Sequence, residues 1–226
     1  GASCLFDVAG PESQVESRRS HLVTPLGSRS MGATDCEALR DALLTQPVNA
    51  LSSLVLVVAG VVIVHRHAKD RMVMLFGSAV VLVGIGSFLF HGPQLAGSRQ
   101  LHDLANFTAA VALGTLAWAP RPGWGPQTPL RITAVSAVLA SAVVFSWEEA
   151  GQWLVAVAAL VAAIGLIRRW REAIWGAALF GVGAVVLTLG RTGGPLCDPG
   201  SVWQPHAAWH LLAAAGFVLL ADALAD

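Results

Sequence analysis

The stretch "PHAAWHLLAAAGFVLL" sets two histidines, His206 and His210, four residues apart at the head of an otherwise apolar run. Residues i and i+4 share one helical face, so both imidazoles can reach a single cation. Such a pair is either a core hydrogen-bonding pair or part of a metal site, and unpartnered polar groups at that depth are costly. His91 closes a second apolar run, "GSFLFH". Three imidazoles would leave a tetrahedral zinc one open position, the pattern of catalytic rather than structural zinc. Nitrogen ligands beside a carboxylate put zinc first among metals, and water in the open position loses its proton near neutral pH. Asp103, in "LHDLANF", is the candidate base. Taken alone it reads better as a carboxylate favoured by a helix N-terminus. Ser87 lies one turn before His91, placed either to donate to the zinc-bound water or a developing oxyanion, or to bond its own helix backbone. His102 is a spare, facing headgroups or bonding Asp103. Glu148 and Glu149 read more simply as a water-facing acidic loop, Trp209 as part of an interfacial aromatic belt or as packing beside the metal, and His21, His65 and His67 as solvated.

These residues are spread over the chain, so membrane-spanning helices must bring them together. The composition is that of an integral membrane protein: 55% of residues are apolar and 12% charged, about half the charge of a soluble domain. Lys and Arg balance Asp and Glu at 14 each, and no basic stripe with interleaved aromatics points to nucleic acid. A spanning helix needs roughly 17–25 apolar residues. Seven segments qualify: Val48–Val64, Val73–Phe90, Leu104–Ala119, Ile132–Trp147, Gln152–Ile167, Ala173–Leu189 and His206–Ala223, the fifth sharing the shortest length with the third and fourth. A soluble all-α bundle would need polar faces that these segments lack. The expected fold is therefore an all-α, polytopic seven-transmembrane bundle.

Positive charge concentrates in "HRHAKDR" after the first span, in Arg121 and Arg131 after the third, and in "RRWR" after the fifth. The positive-inside rule then places the N-terminus outside and the C-terminus in the cytoplasm. His91, Asp103, His206 and His210 all fall near the outer boundary, although that depth was not used to set the orientation. Cys36 and Cys197 precede the first and seventh spans on the same non-cytoplasmic side, where disulfides persist. They are thus either a bridge that pins the amino-terminal segment over the histidines or two unrelated thiols, with Cys4 left over. Residues 1–30 are polar with no periodic apolar face. They read as a flexible leader or an appended remnant, ahead of a seven-span domain over 31–226 for which Met31 is a natural start. Lys69 is the only lysine among many Ala, Val, Gly and Leu, which hints at a GC-rich bacterial genome and a bacterial inner membrane.

In its ordered pieces the chain resembles the alkaline ceramidase family, within the wider CREST superfamily. The pieces are "CE" at Cys36–Glu37, "NALSS" from Asn49, "GSFLFH" with Ser87 and His91, "HD" with Asp103, and "CDPGSVWQPHAAWH" with His206 and His210. Together they cover essentially all of residues 35–223. The resemblance implies a catalytic zinc on His91, His206 and His210, with Asp103 and Ser87 acting around its water. It implies hydrolysis of ceramide-like lipid amides to a fatty acid and a sphingoid base, and a Cys36–Cys197 disulfide. It also implies an acidic calcium cluster before the first span. Asp35, Glu37 and Asp41 remain of that cluster, while Gln46 stands where a further acidic ligand is expected. The spacing from His91 to Asp103 is slightly longer than the family's, and the chain has no tyrosine.

The leading expectation is a zinc-dependent intramembrane hydrolase whose partner is a membrane lipid. Ester hydrolysis or lipid remodelling on the same scaffold would use the same residues. A seven-helix receptor with structural zinc, or a transporter with histidines on an ion path, is the reading from another class. Transporters often show internal repeats and mid-membrane helix breaks, and neither is visible here.

Overall fold

The computed structural model describes residues 32–119, 123–125 and 127–225. The leader reading of residues 1–30, Cys4, His21, Met31 and Arg121 lie outside the described residues. Among the described residues seven helices follow one another: α1 (Pro47–Arg66), α2 (Arg71–His91), α3 (Ser98–Trp118), α4 (Thr128–Ser146), α5 (Ala150–Arg168), α6 (Trp170–Leu189) and α7 (Pro205–Leu224). No strand occurs among the described residues. Proline marks the first turns of α1, α4 and α7, where its missing N–H costs nothing. Asp70 caps α2, accepting from the N–H groups of Met72 and Val73 at 2.8 and 3.1 Å.

Six of the seven helices are long and apolar enough to cross a membrane. Large apolar side chains point outward along them, Trp175 at 75% exposure and Ile167 at 70%, as suits walls meeting lipid rather than water. The exception is α3, whose first turns carry Arg99, His102, Asp103 and Asn106. It also begins at Ser98, six residues before the expected start at Leu104, so Asp103 sits inside the helix rather than at its head. The extension is supported by neighbours: Arg99 pairs with Glu148 at 3.0 Å and lies over the Phe90 ring. At 19 residues the fifth helix is, together with α4, the shortest of the seven.

Helix α1 packs between α2 and α7; α3 lies against α2, α4 and α5; and α6 lies on α7. Small residues let backbones meet in the α1–α2 seam, where a Cβ on Gly60 would come within 2.6 Å of the Gly77 carbonyl. By contrast, α5 and α6 touch sparsely. Between α3, α5, α6 and α7 lies a cavity of about 580 Å³ whose lining is apolar apart from Asn106 and the indole nitrogens of Trp170 and Trp209. At the end of the bundle away from His91, α1 is tied to α7. Asp222 takes Arg66 at 3.0 Å and His67 at 2.8 Å, so His67 is paired rather than merely solvated.

Candidate metal centre

His91 ends α2, and His206 and His210 occupy the first two turns of α7. Because successive helices alternate in direction, these two termini share one end of the bundle with the start of α3. Each histidine offers a ring nitrogen, and the three nitrogens lie within 4.8 Å of one another. The ring centroids of His91 and His206 are 4.6 Å apart, those of His206 and His210 4.7 Å, and those of His91 and His210 5.8 Å. His91 and His210 are buried, at 0% and 2% exposure. His91 Nε2 is buried with no hydrogen-bond partner among the described residues. An orphaned ring nitrogen facing two further imidazoles is the feature that a bound cation would satisfy, so the residues present fit a metal.

The outward nitrogen of each ring meets an oxygen from one stretch of chain. His91 Nδ1 lies 2.7 Å from Gln46 Oε1. His210 Nδ1 lies 2.8 Å from Ser52 Oγ, whose own proton goes to the Asn49 carbonyl at 2.9 Å. His206 Nδ1 is 3.4 Å from Asp35 Oδ1, near enough for an ion pair though not aligned as a hydrogen bond. Residues 35–52 thus carry a hydrogen-bonding outer partner for His91 and His210 and set the Asp35 carboxylate near His206, the arrangement that orients metal-ligating histidines. A Cys36–Cys197 disulfide fastens this stretch to the loop before α7, and Thr192 Oγ1 accepts from the Cys36 N–H at 3.1 Å.

No family model and no curated protein matches this chain.

Ser87 is buried beside the cluster, its Oγ 3.2 Å from His210 Nε2 and 2.9 Å from Ser53 Oγ. It bonds side chains across helices, not its own backbone. Asp103 Oδ1 lies 2.9 Å from His102 Nδ1, which gives the spare histidine a partner. No hydrogen bond joins Asp103 to the three histidines among the described residues. Two close approaches fix its position. The α3 backbone at His102 meets α2 at Gly86, next to Ser87, where an added Cβ would lie 3.0 Å from the His102 Cα. Asp103 also packs on Gly151 of α5, where a Cβ would come within 2.5 Å of Oδ2. Trp209 packs on Phe180 at 5.7 Å and lines the cavity from between the two α7 histidines.

The three acidic residues ahead of α1 are not brought together. Both Glu37 oxygens accept from the N-terminus of α1, at Val48 N (2.9 Å) and Asn49 N (2.8 Å). Asp35 turns to His206, and Asp41 is exposed. Gln46 Nε2 donates to the Gly32 and Glu37 carbonyls at 2.9 Å each. Glu148 is held by Arg99, and Glu149 is the residue preceding α5. Sequence reading passed over Ser52 and noticed Gln46 only as a departure. Both are ordinary polar residues whose importance lies in partners 158 and 45 positions away.

Proposed function

We propose that this protein is a zinc-dependent intramembrane hydrolase of the alkaline ceramidase family, cleaving a ceramide-like lipid amide to a fatty acid and a sphingoid base or amine. In this reading the chain crosses a bacterial inner membrane seven times, with its N-terminus outside, its C-terminus in the cytoplasm and its site toward the non-cytoplasmic side. The observation that carries it is the buried, partnerless His91 Nε2 facing His206 and His210. His91, His206 and His210 would hold the ion. Bound zinc supplies a Lewis acid and a water acidified toward neutral pH.

The remaining chemistry belongs to the chain. Asp103, held by His102, accepts a proton from the attacking water and returns it to the leaving amine. Ser87 donates to the oxygen of the scissile carbonyl as negative charge develops there. The long chain of the substrate lies in the apolar cavity beside Trp209, entering from lipid where α5 and α6 part, and its walls keep water from it.

Metal analysis paired with a labelled-ceramide assay tests this. Native protein should carry stoichiometric zinc and release labelled fatty acid, and His91→Ala should lose both. Metal unchanged in His91→Ala would overturn the centre. Stoichiometric zinc with no turnover of any lipid would favour a structural ion and sink the hydrolase reading. Cleavage of lipid esters but not amides would move the substrate class.

A further inference from the structure

One residue holds His91 at two points. The Gln46 backbone N–H donates to the His91 carbonyl at 2.9 Å, and Gln46 Oε1 lies 2.7 Å from His91 Nδ1. The carboxamide has only one satisfactory orientation. Its nitrogen sits 2.9 Å from the Gly32 carbonyl and 2.9 Å from the Glu37 carbonyl, and both oxygens can only accept. Turning the amide over would set its oxygen against two carbonyls and leave them without a donor, so the hydrogen-bond network assigns nitrogen to that side and oxygen to His91. An amide oxygen cannot donate. His91 Nδ1 therefore carries the proton, and the lone pair is left on Nε2, the atom that is buried and partnerless.

We propose that Gln46 is a positioning residue that makes His91 a metal ligand, by fixing the ring's tautomer through an amide whose orientation is set by the Gly32 and Glu37 carbonyls. Gln46 is fully buried. Gly32 leaves it room: its φ is +75°, and a side chain there would run into Gln46 Oε1. Nothing in the residue type announces the role, because glutamine neither binds zinc well nor titrates. It acts through the ring it touches, as outer partners of metal-bound histidines do. The proposal rests on the reading of the three histidines as metal ligands, and the experiment separates the two.

Full-length protein in detergent or nanodiscs is titrated with zinc, and with cobalt as a spectroscopic probe, against a competing chelator. Q46M and Q46E lose the same two donors to Gly32 and Glu37, but only Q46E keeps an oxygen for His91 Nδ1–H. Q46M should bind metal about 10- to 100-fold more weakly, while Q46E stays close to wild type. Both should melt earlier than wild type without metal, because the lost donors are common to them. Equal affinity in all three proteins, or equal loss in both variants, would overturn the positioning role. If neither variant folds, ¹⁵N-histidine spectra of the loaded wild type decide: His91 should be bound through Nε2 with Nδ1 protonated, and binding through Nδ1 overturns the proposal. Wild type that takes up no metal would overturn the metal centre itself. Full uptake with an unchanged Q46M would overturn Gln46 alone.

Discussion

Replacing Glu37 by alanine should destabilise the fold by about 3 kcal/mol or more, and by the same amount with or without calcium. The estimate follows from the first turn of α1, whose N–H groups need partners from outside the helix. Gln46 N–H reaches the His91 carbonyl, and Pro47 has no N–H to satisfy. Val48 and Asn49 N–H remain, and they meet the two oxygens of Glu37 at 2.9 and 2.8 Å. Glu37 is 3% exposed, so water does not stand in for it in the folded protein. A hydrogen bond to a charged group contributes about 1.5–3 kcal/mol, and two give about 3–6 before water entering the emptied space returns some of it. Glu37→Gln keeps one acceptor and turns an NH2 toward the other donor, for a loss of about 2 kcal/mol. Equilibrium unfolding in mixed micelles, followed by tryptophan fluorescence with calcium and again with EGTA, measures both. A Glu37→Ala loss within about 0.5 kcal/mol, the range of an ordinary surface change, would refute the capping account. A loss seen only in calcium would return Glu37 to a cation site.

Two other perturbations read different parts of the site. Gly151→Ala places a Cβ against Asp103, 2.5 Å from Oδ2 and 2.7 Å from Cβ. Displacing that carboxylate should cut lipid hydrolysis about 100-fold with zinc content unchanged, and full turnover would mean that the position of Asp103 does not limit the rate. Cys36→Ser with Cys197→Ser opens a bridge spanning 161 positions. The expected loss is about 2–4 kcal/mol of stability, together with weaker zinc binding, because the freed segment carries Asp35 and Gln46. Unchanged zinc affinity would show that the segment docks without its covalent tie.

The helices were legible because long apolar runs broken by Pro and Gly are a strong signal. Six are apolar enough to cross a membrane by length and composition, and their ends fall within a few residues of the expected ones. The exception is instructive. "SRQLHD" has one apolar residue in six, so an apolar count starts the third span only at Leu104. It is helical because its polar groups find partners that lie elsewhere in the sequence: Glu148 for Arg99, the Phe90 ring stacked on His102 at 4.8 Å, and the His102 carbonyl for Asn106 Nδ2 at 2.8 Å. Partners of that kind arise from tertiary packing, which hydropathy does not encode.

The site divides along the same line. Histidine in an apolar helix is rare enough to be noticed, and alternating helix direction sufficed to place His91, His206 and His210 at one level. The residues that orient those rings were not legible, because an amide and a hydroxyl become outer partners only through geometry. Ser52 could serve anywhere on α1, but only at this register does its oxygen, with its proton committed to Asn49, face His210 Nδ1. The acidic residues show the converse. Asp35 and Glu37 are of the right type for calcium, yet one faces a histidine and the other closes a helix. Residue type fixes what a group can do. Which of its capacities is used depends on the donors and acceptors that folding brings within about 3 Å, and here one short segment brings such a partner to His91 and to His210.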